Sequence, residues 1–179
     1  MLESQGLYGE RNAFFAKMER AEPEAIGLWK RFQDVSIQRY IVAYDRLNIQ
    51  FDEYNGESQV RPETILEVER ILLERNIIEE DKNALIIDFK EHGALKMDVA
   101  IVRNRLGTST YLSRDIAGLI ERDAKYKFDK LIYVVSSEQD ICFQRLFKVI
   151  ELMGRPELAK KVQHINFGKV LACQRGKET

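Results

Sequence analysis

The sequence has few of the residues that usually mark a specialised class of protein. Its 179 residues include two cysteines, three prolines and one tryptophan. Cys142 and Cys173 lie far apart and lack the spacing of a metal site. We therefore expect no structural disulfide, no metal centre and a reduced, cytoplasmic protein.

The sequence also lacks an excess of charge of one sign and a long apolar run. It has 28 basic and 29 acidic residues, a formal net charge of −1. A large generic nucleic-acid footprint usually needs a clear basic excess, so we expect none. No stretch approaches the ~20 apolar residues that span a membrane, and the first residues do not resemble a signal peptide. We therefore expect no membrane partner.

Helical periodicity dominates the first part of the chain. From about residue 25 to 47, apolar residues recur at helical spacing. This pattern predicts a helix whose aromatic residues, Trp29 among them, form a packed core face. The next segment, 48–54, is predicted to form a short strand. Further strands are predicted at 84–89 and 98–102.

The second part alternates helices and strands. Thr108 to Thr110 are suitable caps for a helix at 112–125. A continuous apolar run at 131–135 predicts a strand buried on both faces. A helix at 139–153, ended by Gly154 just beyond it, and a strand at 162–167 follow. This order implies a parallel crossover, and ligands of such sheets bind beyond the carboxyl ends of the strands.

Three side chains in this part suggest a site for a guanidinium group. Tyr111 and Asp115 are four residues apart, so they share one face of the predicted helix. Gln139 follows the predicted strand at 131–135, within the polar cluster from Ser136 to Asp140. A carboxylate binds a guanidinium through two parallel hydrogen bonds, a tyrosine adds a ring and a hydroxyl, and a glutamine adds a carbonyl. The alternative is that Asp115 is a first-turn acid and Tyr111 a core aromatic.

Several separated motifs resemble the catalytic domain of arginyl-tRNA synthetases, a class I family. They are YLSRDIAGLIERDAKYKFDKLIYVVSSEQD and, further on, VQHINFGKVL. The earlier segment from FFAKMER to DEYNGESQV resembles the eukaryotic members. The resemblance implies an α/β protein with part of the class I Rossmann-like nucleotide-binding fold, built on a parallel sheet. Residues 1–106 would form a helical and β insertion region, and residues 107–179 the second half of the nucleotide fold.

The resemblance also implies ligands and the residues that hold them. The family positions that bind substrate arginine correspond here to Tyr111, Asp115 and Gln139. The HINFG segment is similar to the family's HVNFG, which lies near ATP, so His164, Asn166 and Gly168 are expected on the ATP side. No cofactor is implied, because ATP would be a substrate. The acceptor end of tRNA would be a further partner.

Two departures from the family bear on activity. The chain has no His-x-Gly-His motif, and it reads ACQRGKET where the family has a Lys-Met-Ser-Lys-Ser-like loop, with Lys177 as a remnant. No catalytic residue can be assigned, and we expect the chain alone to be deficient in ATP-dependent activation. Half a nucleotide fold leaves a sheet edge and apolar surface uncovered. A homo-oligomer or a partner chain covering this truncated sheet is therefore expected.

Two other functions fit the same residues. The chain could be a non-catalytic module that senses arginine or binds a synthetase. It could also be a repurposed enzyme that takes arginine from arginyl-tRNA, with Ser136 or Ser137 as the nucleophile. The structural interpretation of these serines is a strand-end turn or a helix cap.

Overall fold

A computed structural model describes the backbone of residues 5–168 and the side chains of residues 9–168. Cys173 and Lys177 lie outside the described residues. The chain forms two compact units, Met1–Pro62 and Glu63–Thr179. The domain boundary predicted between residues 106 and 107 falls within the second unit, and the division that the resemblance implies stays a prediction.

The first unit contains two helices that pack against each other. They are α1 (Gln5–Glu19) and α2 (Pro23–Asp45). Pro23 lies in the first turn of α2, where its fixed φ angle suits a helix and its missing N–H is not needed. A short 3-10 turn, Glu57–Gln59, follows later. Helix α2 confirms the long helix predicted at about residues 25–47.

The predicted core face of α2 is wrong for most of its residues. Ala25 is buried and Trp29 is half-buried, but the Phe32 side chain is 67% exposed. Other exposed apolar residues of the helix are Leu28, Val35, Tyr40, Ile41, Val42 and Tyr44. Periodicity identifies the apolar side of a helix, but burial also requires a second surface. Among the described residues of this unit, α1 is the one helix that packs against α2, and it covers only part of that side.

The predicted strand at 48–54 is also wrong, because these residues form no β-ladder. Aromatic side chains pack there instead. The ring of Phe51 lies edge-on to Tyr44, with centroids 4.7 Å apart, and edge-on to Tyr54, at 5.8 Å. Side-chain packing therefore replaces backbone pairing in this segment.

The second unit begins with a helix packed near a small antiparallel sheet. Helix α3 (Pro62–Glu74) precedes β1 (Glu79–Asp81), β2 (Ala84–Ile87) and β3 (Ala100–Arg103), which form a three-stranded sheet in the order β1-β2-β3. β2 and β3 confirm the two strands predicted here. The buried carboxylate of Glu69 on α3 accepts two hydrogen bonds from the Arg103 guanidinium on β3. This pair ties the helix to the sheet, because the buried Glu69 carboxylate needs a charged partner.

Parallel pairing organises the rest of the second unit. Its elements are α4 (Tyr111–Tyr126), β4 (Leu131–Ser136), a 3-10 turn (Ser137–Gln139), α5 (Asp140–Leu152), α6 (Pro156–Lys161) and β5 (Val162–Phe167). β4 and β5 pair in parallel, from Leu131 opposite Val162 to Ser136 opposite Phe167. The predicted helix–strand order and parallel pairing are therefore confirmed. Gly154, two residues after α5, has a φ of +79°, as its predicted place beyond the helix end requires.

Within the second unit, the helices among the described residues cover only one face of this parallel pair. Tyr133 and His164 lie opposite each other on the covered face, and the ring of Phe143 from α5 packs against both. On the other face Val134 is 66% exposed, together with Ile132, Ile165 and Phe167. The prediction that β4 is buried on both faces is therefore wrong. The apolar run provides two apolar faces, but within the second unit only one has a helix against it.

In the part of the second unit that runs from α4 to β5, the core lies between α4 and α5. The fully or almost fully buried side chains include Ile116, Leu119, Leu146, Val149 and Ile150. Burial of each such side chain stabilises the fold by about 1.5–3 kcal/mol. Among residues 5–168, no helix is both long enough and apolar enough to cross a membrane.

Candidate functional site

The start of α4 is fixed to strand β3 by hydroxyl groups. The Thr110 hydroxyl donates to the carbonyl of Ile101 at 2.7 Å, and the buried Ser113 hydroxyl donates to the carbonyl of Val102 at 2.8 Å. Ser113 Oγ also accepts a hydrogen bond from the Thr110 N–H at 2.9 Å. Thr110 is the N-cap residue, within the Thr108 to Thr110 segment predicted for it. The first turn of α4 therefore has a defined position on the sheet.

Tyr111 and Asp115 lie on this fixed first part of α4. Tyr111 is the first residue of the helix, and its side chain is 72% exposed. Asp115 is one turn further along and is half-buried. The exposure of Tyr111 excludes the alternative that it is a core aromatic. Its ring is accessible to a ligand, as the guanidinium hypothesis requires.

The negative charge of Asp115 also affects the Tyr133 hydroxyl on strand β4. Tyr133 on β4 accepts a hydrogen bond from Arg122 Nη1 at 3.1 Å. Burial raises the pKa of the Tyr133 hydroxyl, and the negative charge of Asp115 adds to this rise, whereas the Arg122 guanidinium opposes it. The Asp115 carboxylate therefore lies within electrostatic range of the covered face of β4.

Gln139 lies at the carboxyl end of β4, where the sequence predicts it. It is the last residue of the 3-10 turn, is exposed, and immediately precedes α5. Helices α4 and α5 pack against each other, so Gln139 and the two α4 residues belong to neighbouring elements. The convergence of these three side chains on one ligand stays a prediction.

The structure assigns Ser136 a capping contact. Its Oγ accepts a hydrogen bond from the Glu138 N–H at 3.3 Å, at the start of the 3-10 turn. Ser137 is exposed in the same turn. This contact supports the structural interpretation of Ser136.

A polar cluster that sequence reasoning missed lies directly beside Gln139. Asn166 Nδ2 donates to both carboxylate oxygens of Asp140, at 2.8 and 3.0 Å. His164 Nδ1 lies 3.5 Å from Asp140 Oδ1. The other ring nitrogen, Nε2, lies 3.3 Å from the carbonyl of Val135 and donates to it, because a carbonyl can only accept. Asp140, His164 and Asn166 thus form one cluster, here called the strand-end cluster.

The strand-end cluster joins the two sets of predicted ligand residues. His164 and Asn166 are expected on the ATP side, and both side chains face the residue that follows Gln139. The Phe143 ring stacks on the His164 ring, with centroids 4.4 Å apart. Gly168 follows β5 directly, and a Cβ atom at this position would meet nothing within 4 Å. The polar cluster Ser136 to Asp140 was the available signal, but its partners are distant in sequence.

The described residues provide no obvious metal centre. In residues 5–168, no group of three or more histidine, cysteine, aspartate or glutamate side chains could hold a metal ion. Cys142, near the start of α5, is a free and exposed thiol.

Comparison with known proteins identifies relatives along almost the whole chain. The family model "tRNA synthetases class I (R), catalytic domain" matches residues 3–178. The chain is 48% identical over 173 residues to the probable cytoplasmic arginine–tRNA ligase of Schizosaccharomyces pombe, covering 96% of this chain and 28% of that protein. It is 41% identical over 175 residues to the cytoplasmic arginine–tRNA ligase of Saccharomyces cerevisiae, covering 98% of this chain and 28% of that protein. A mitochondrial arginine–tRNA ligase of Saccharomyces cerevisiae is also 41% identical, over 165 residues, covering 92% of this chain and 25% of that protein.

Solved structures share the fold. The crystal structure of arginyl-tRNA synthetase from Plasmodium falciparum has a TM-score of 0.74 at 23% identity, covering 93% of this chain and 30% of that one. Together with the parallel β4–β5 pair and its helices, this similarity defines a partial Rossmann-like α/β fold of the class I synthetase type. The chain belongs to the arginyl-tRNA synthetase catalytic-domain family. It spans about 28% of the length of its two cytoplasmic yeast relatives.

Removing the Tyr133 hydroxyl should reduce the loss of stability at high pH. The ordinary pKa of tyrosine is about 10, and that of Tyr133 is raised in the folded chain. Above about pH 10, the folded chain therefore binds more protons than the unfolded chain, and the free energy of unfolding falls as pH rises. Urea unfolding between about pH 8 and pH 11 should show a smaller fall for Tyr133→Phe.

The exposed Tyr126 provides the control for this experiment. Tyr126→Phe removes a hydroxyl group from an exposed tyrosine at the end of α4, so it measures the effect of losing a phenol outside the covered face of β4. Equal falls in stability for Tyr133→Phe and the native chain would contradict the assignment of the high-pH transition to Tyr133.

Proposed function

We propose that this chain is a catalytic-core segment of an arginine–tRNA ligase that holds arginine through Tyr111, Asp115 and Gln139. The placement of Tyr111 and Asp115 on the fixed first part of α4 carries the proposal, in a chain of this family. The exposed Tyr111 ring offers a π surface, and the half-buried Asp115 offers a carboxylate to the substrate guanidinium. Gln139, at the start of the neighbouring helix, offers an amide carbonyl.

The other ligands follow from the strand-end cluster and from the relatives. His164, Asn166 and Gly168 are proposed on the ATP side, where they follow the carboxyl end of the parallel pair. ATP would act as a substrate, and the tRNA acceptor end would receive the arginine. A cytoplasmic location is proposed from the cytoplasmic yeast relatives. Without a His-x-Gly-His motif, the chain alone lacks groups that stabilise the charge of the activation step.

Two observations favour this proposal over its alternatives. Family membership along residues 3–178 favours a synthetase segment over an unrelated arginine sensor. The capping contact of Ser136 weakens the case for a nucleophilic serine in a repurposed enzyme. An arginine-sensing or synthetase-binding module remains the second candidate, because it needs only the arginine residues and an uncovered surface.

An exposed apolar surface on the β4–β5 pair supports the expectation that another chain covers it. Ile132, Val134, Ile165 and Phe167 form a contiguous apolar face on the β4–β5 pair, and all four are exposed. Such a face usually marks an interaction site. We therefore expect a second copy of the chain, or a partner chain, to cover it.

Calorimetry should show that the chain binds arginine more tightly than lysine or citrulline. Lysine lacks the planar fork of donors, and citrulline lacks the charge. Asp115→Asn should weaken arginine binding roughly 10- to 100-fold, since a hydrogen bond to a charged group contributes about 1.5–3 kcal/mol. Asp123→Asn is the matched control, two turns further along α4, where the carboxylate lies 3.8 Å from Lys161.

The control variant should bind arginine as the native chain does. Equal affinity for arginine and lysine, or an Asp115→Asn variant that binds arginine unchanged, would contradict the proposed site.

The chain alone should not catalyse arginine-dependent exchange between ATP and pyrophosphate. Activation needs groups that stabilise the triphosphate in the transition state, and the sequence lacks the first signature motif that supplies them. The assay is run with stoichiometric amounts of the chain, and with a full-length relative as the positive control. Exchange that depends on arginine and exceeds the rate without protein would overturn this expectation.

Light scattering over a range of concentrations should detect self-association through the β4–β5 face. Val134→Lys places a charge at the centre of this face and should lower the average mass. Leu95→Lys, at an exposed residue outside the face, is the control and should not. A monomeric native chain at all concentrations would exclude self-association. Co-elution with a full-length synthetase, lost in Val134→Lys, would then identify a partner chain.

A further inference from the structure

Arg114 is a charged residue inside the second unit, between the two predicted arginine ligands of α4. Its side chain is only 9% exposed. Nη1 donates to the backbone carbonyl of Ser109 at 3.0 Å and to the Ser109 hydroxyl at 2.8 Å. Burial of a guanidinium is costly unless its donors are satisfied. These contacts fasten the loop before α4 to the helix itself.

The same guanidinium lies against the ring of Tyr111. The distance from Arg114 Cζ to the centre of the Tyr111 ring is 5.0 Å. Cation–π attraction operates within about 6 Å of the ring centre. Most of the Tyr111 side chain is exposed, so this contact restricts a ring that would otherwise be free to turn in solvent.

We propose that Arg114 is a positioning residue that holds the Tyr111 ring in place for a guanidinium ligand. This inference rests on the proposed arginine site and assigns a role to a residue that is not one of its ligands. Ser109 fixes one side of the Arg114 guanidinium, and the guanidinium in turn fixes Tyr111. A ring that is already oriented loses less conformational freedom when the ligand binds.

Lysine cannot take over this role. Its ammonium group is a compact charge on a flexible stem, whereas the planar guanidinium stacks on an aromatic ring and presents donors in a fixed arrangement. Arg114→Lys keeps the positive charge and loses the stacking geometry. This substitution therefore separates the orientation of Tyr111 from the charge near it.

A double-mutant cycle measured by arginine calorimetry tests the proposal. Arg114→Lys should weaken arginine binding about three- to fivefold, because a Tyr111 ring that is no longer held must be ordered when the ligand binds. In a Tyr111→Leu background, the same change should alter affinity by less than about twofold, because Arg114 would have no ring to hold. Arg70→Lys, on the exposed surface of α3, is the control and should leave affinity unchanged.

Several outcomes would overturn the role of Arg114. It fails if Arg114→Lys has no effect, or if it weakens binding equally with and without the Tyr111 ring. In the second case, Arg114 would act through the loop or through general stability, which urea unfolding of each variant measures. If the native chain does not bind arginine, the proposed function itself fails, together with this role.

NMR of the ligand-free chain provides a readout that is independent of arginine. The ring current of Tyr111 should shift the Arg114 side-chain protons upfield, and Tyr111→Leu should return them to ordinary values. Unshifted Arg114 protons in the native chain would contradict the contact. If the Arg114 protons are shifted but the chain does not bind arginine, the proposed function is wrong. If the chain binds arginine but the Arg114 protons are not shifted, the proposed role of Arg114 is wrong.

Discussion

The fixed start of α4 is the constraint on which the candidate site depends. Hydroxyl-to-carbonyl hydrogen bonds from Thr110 and from the buried Ser113 attach the first turn to β3. Hydrogen bonds to buried backbone carbonyls are costly to lose, because the carbonyl would then lack a partner. Since Tyr111 lies in this turn and Asp115 one turn further along the same helix, their positions are set by the sheet and not by the flexibility of a loop. An exposed residue such as Tyr111 thus obtains its backbone position from buried neighbours such as Ser113.

The two faces of the parallel pair differ in character. One face carries polar groups with defined contacts, and the other carries mainly apolar side chains. The covered face carries Tyr133 and His164, whose polar atoms contact Arg122, Val135 and Asp140. The opposite face carries the exposed apolar residues Ile132, Val134, Ile165 and Phe167, together with the exposed Gln163 near the start of β5. A polar face needs partners at defined distances, whereas an apolar face needs only a complementary surface. The apolar face can therefore be completed by another chain without a change in the candidate site.

The sequence predicts elements well where the signal is local. The apolar run of β4, the cap at Thr110 and Gly154 beyond α5 each depend on a few neighbouring residues, and all three are found as predicted. Burial is different, because it depends on what packs against an element. For this reason Phe32 on α2 and Val134 on β4 are exposed, although their patterns predict a core. The strand predicted at 48–54 fails for a related reason, because no neighbouring strand pairs with it.

The strand-end cluster has a consequence for how the sequence can vary. Asp140 and Asn166 are 26 residues apart, yet two hydrogen bonds join the amide to both carboxylate oxygens. A change at one position alone would break both hydrogen bonds at once. The two positions are therefore expected to vary as a pair among relatives. In that case the residues at the start of α5 and at the end of β5 would change together during evolution, whereas the crossover between them could change independently.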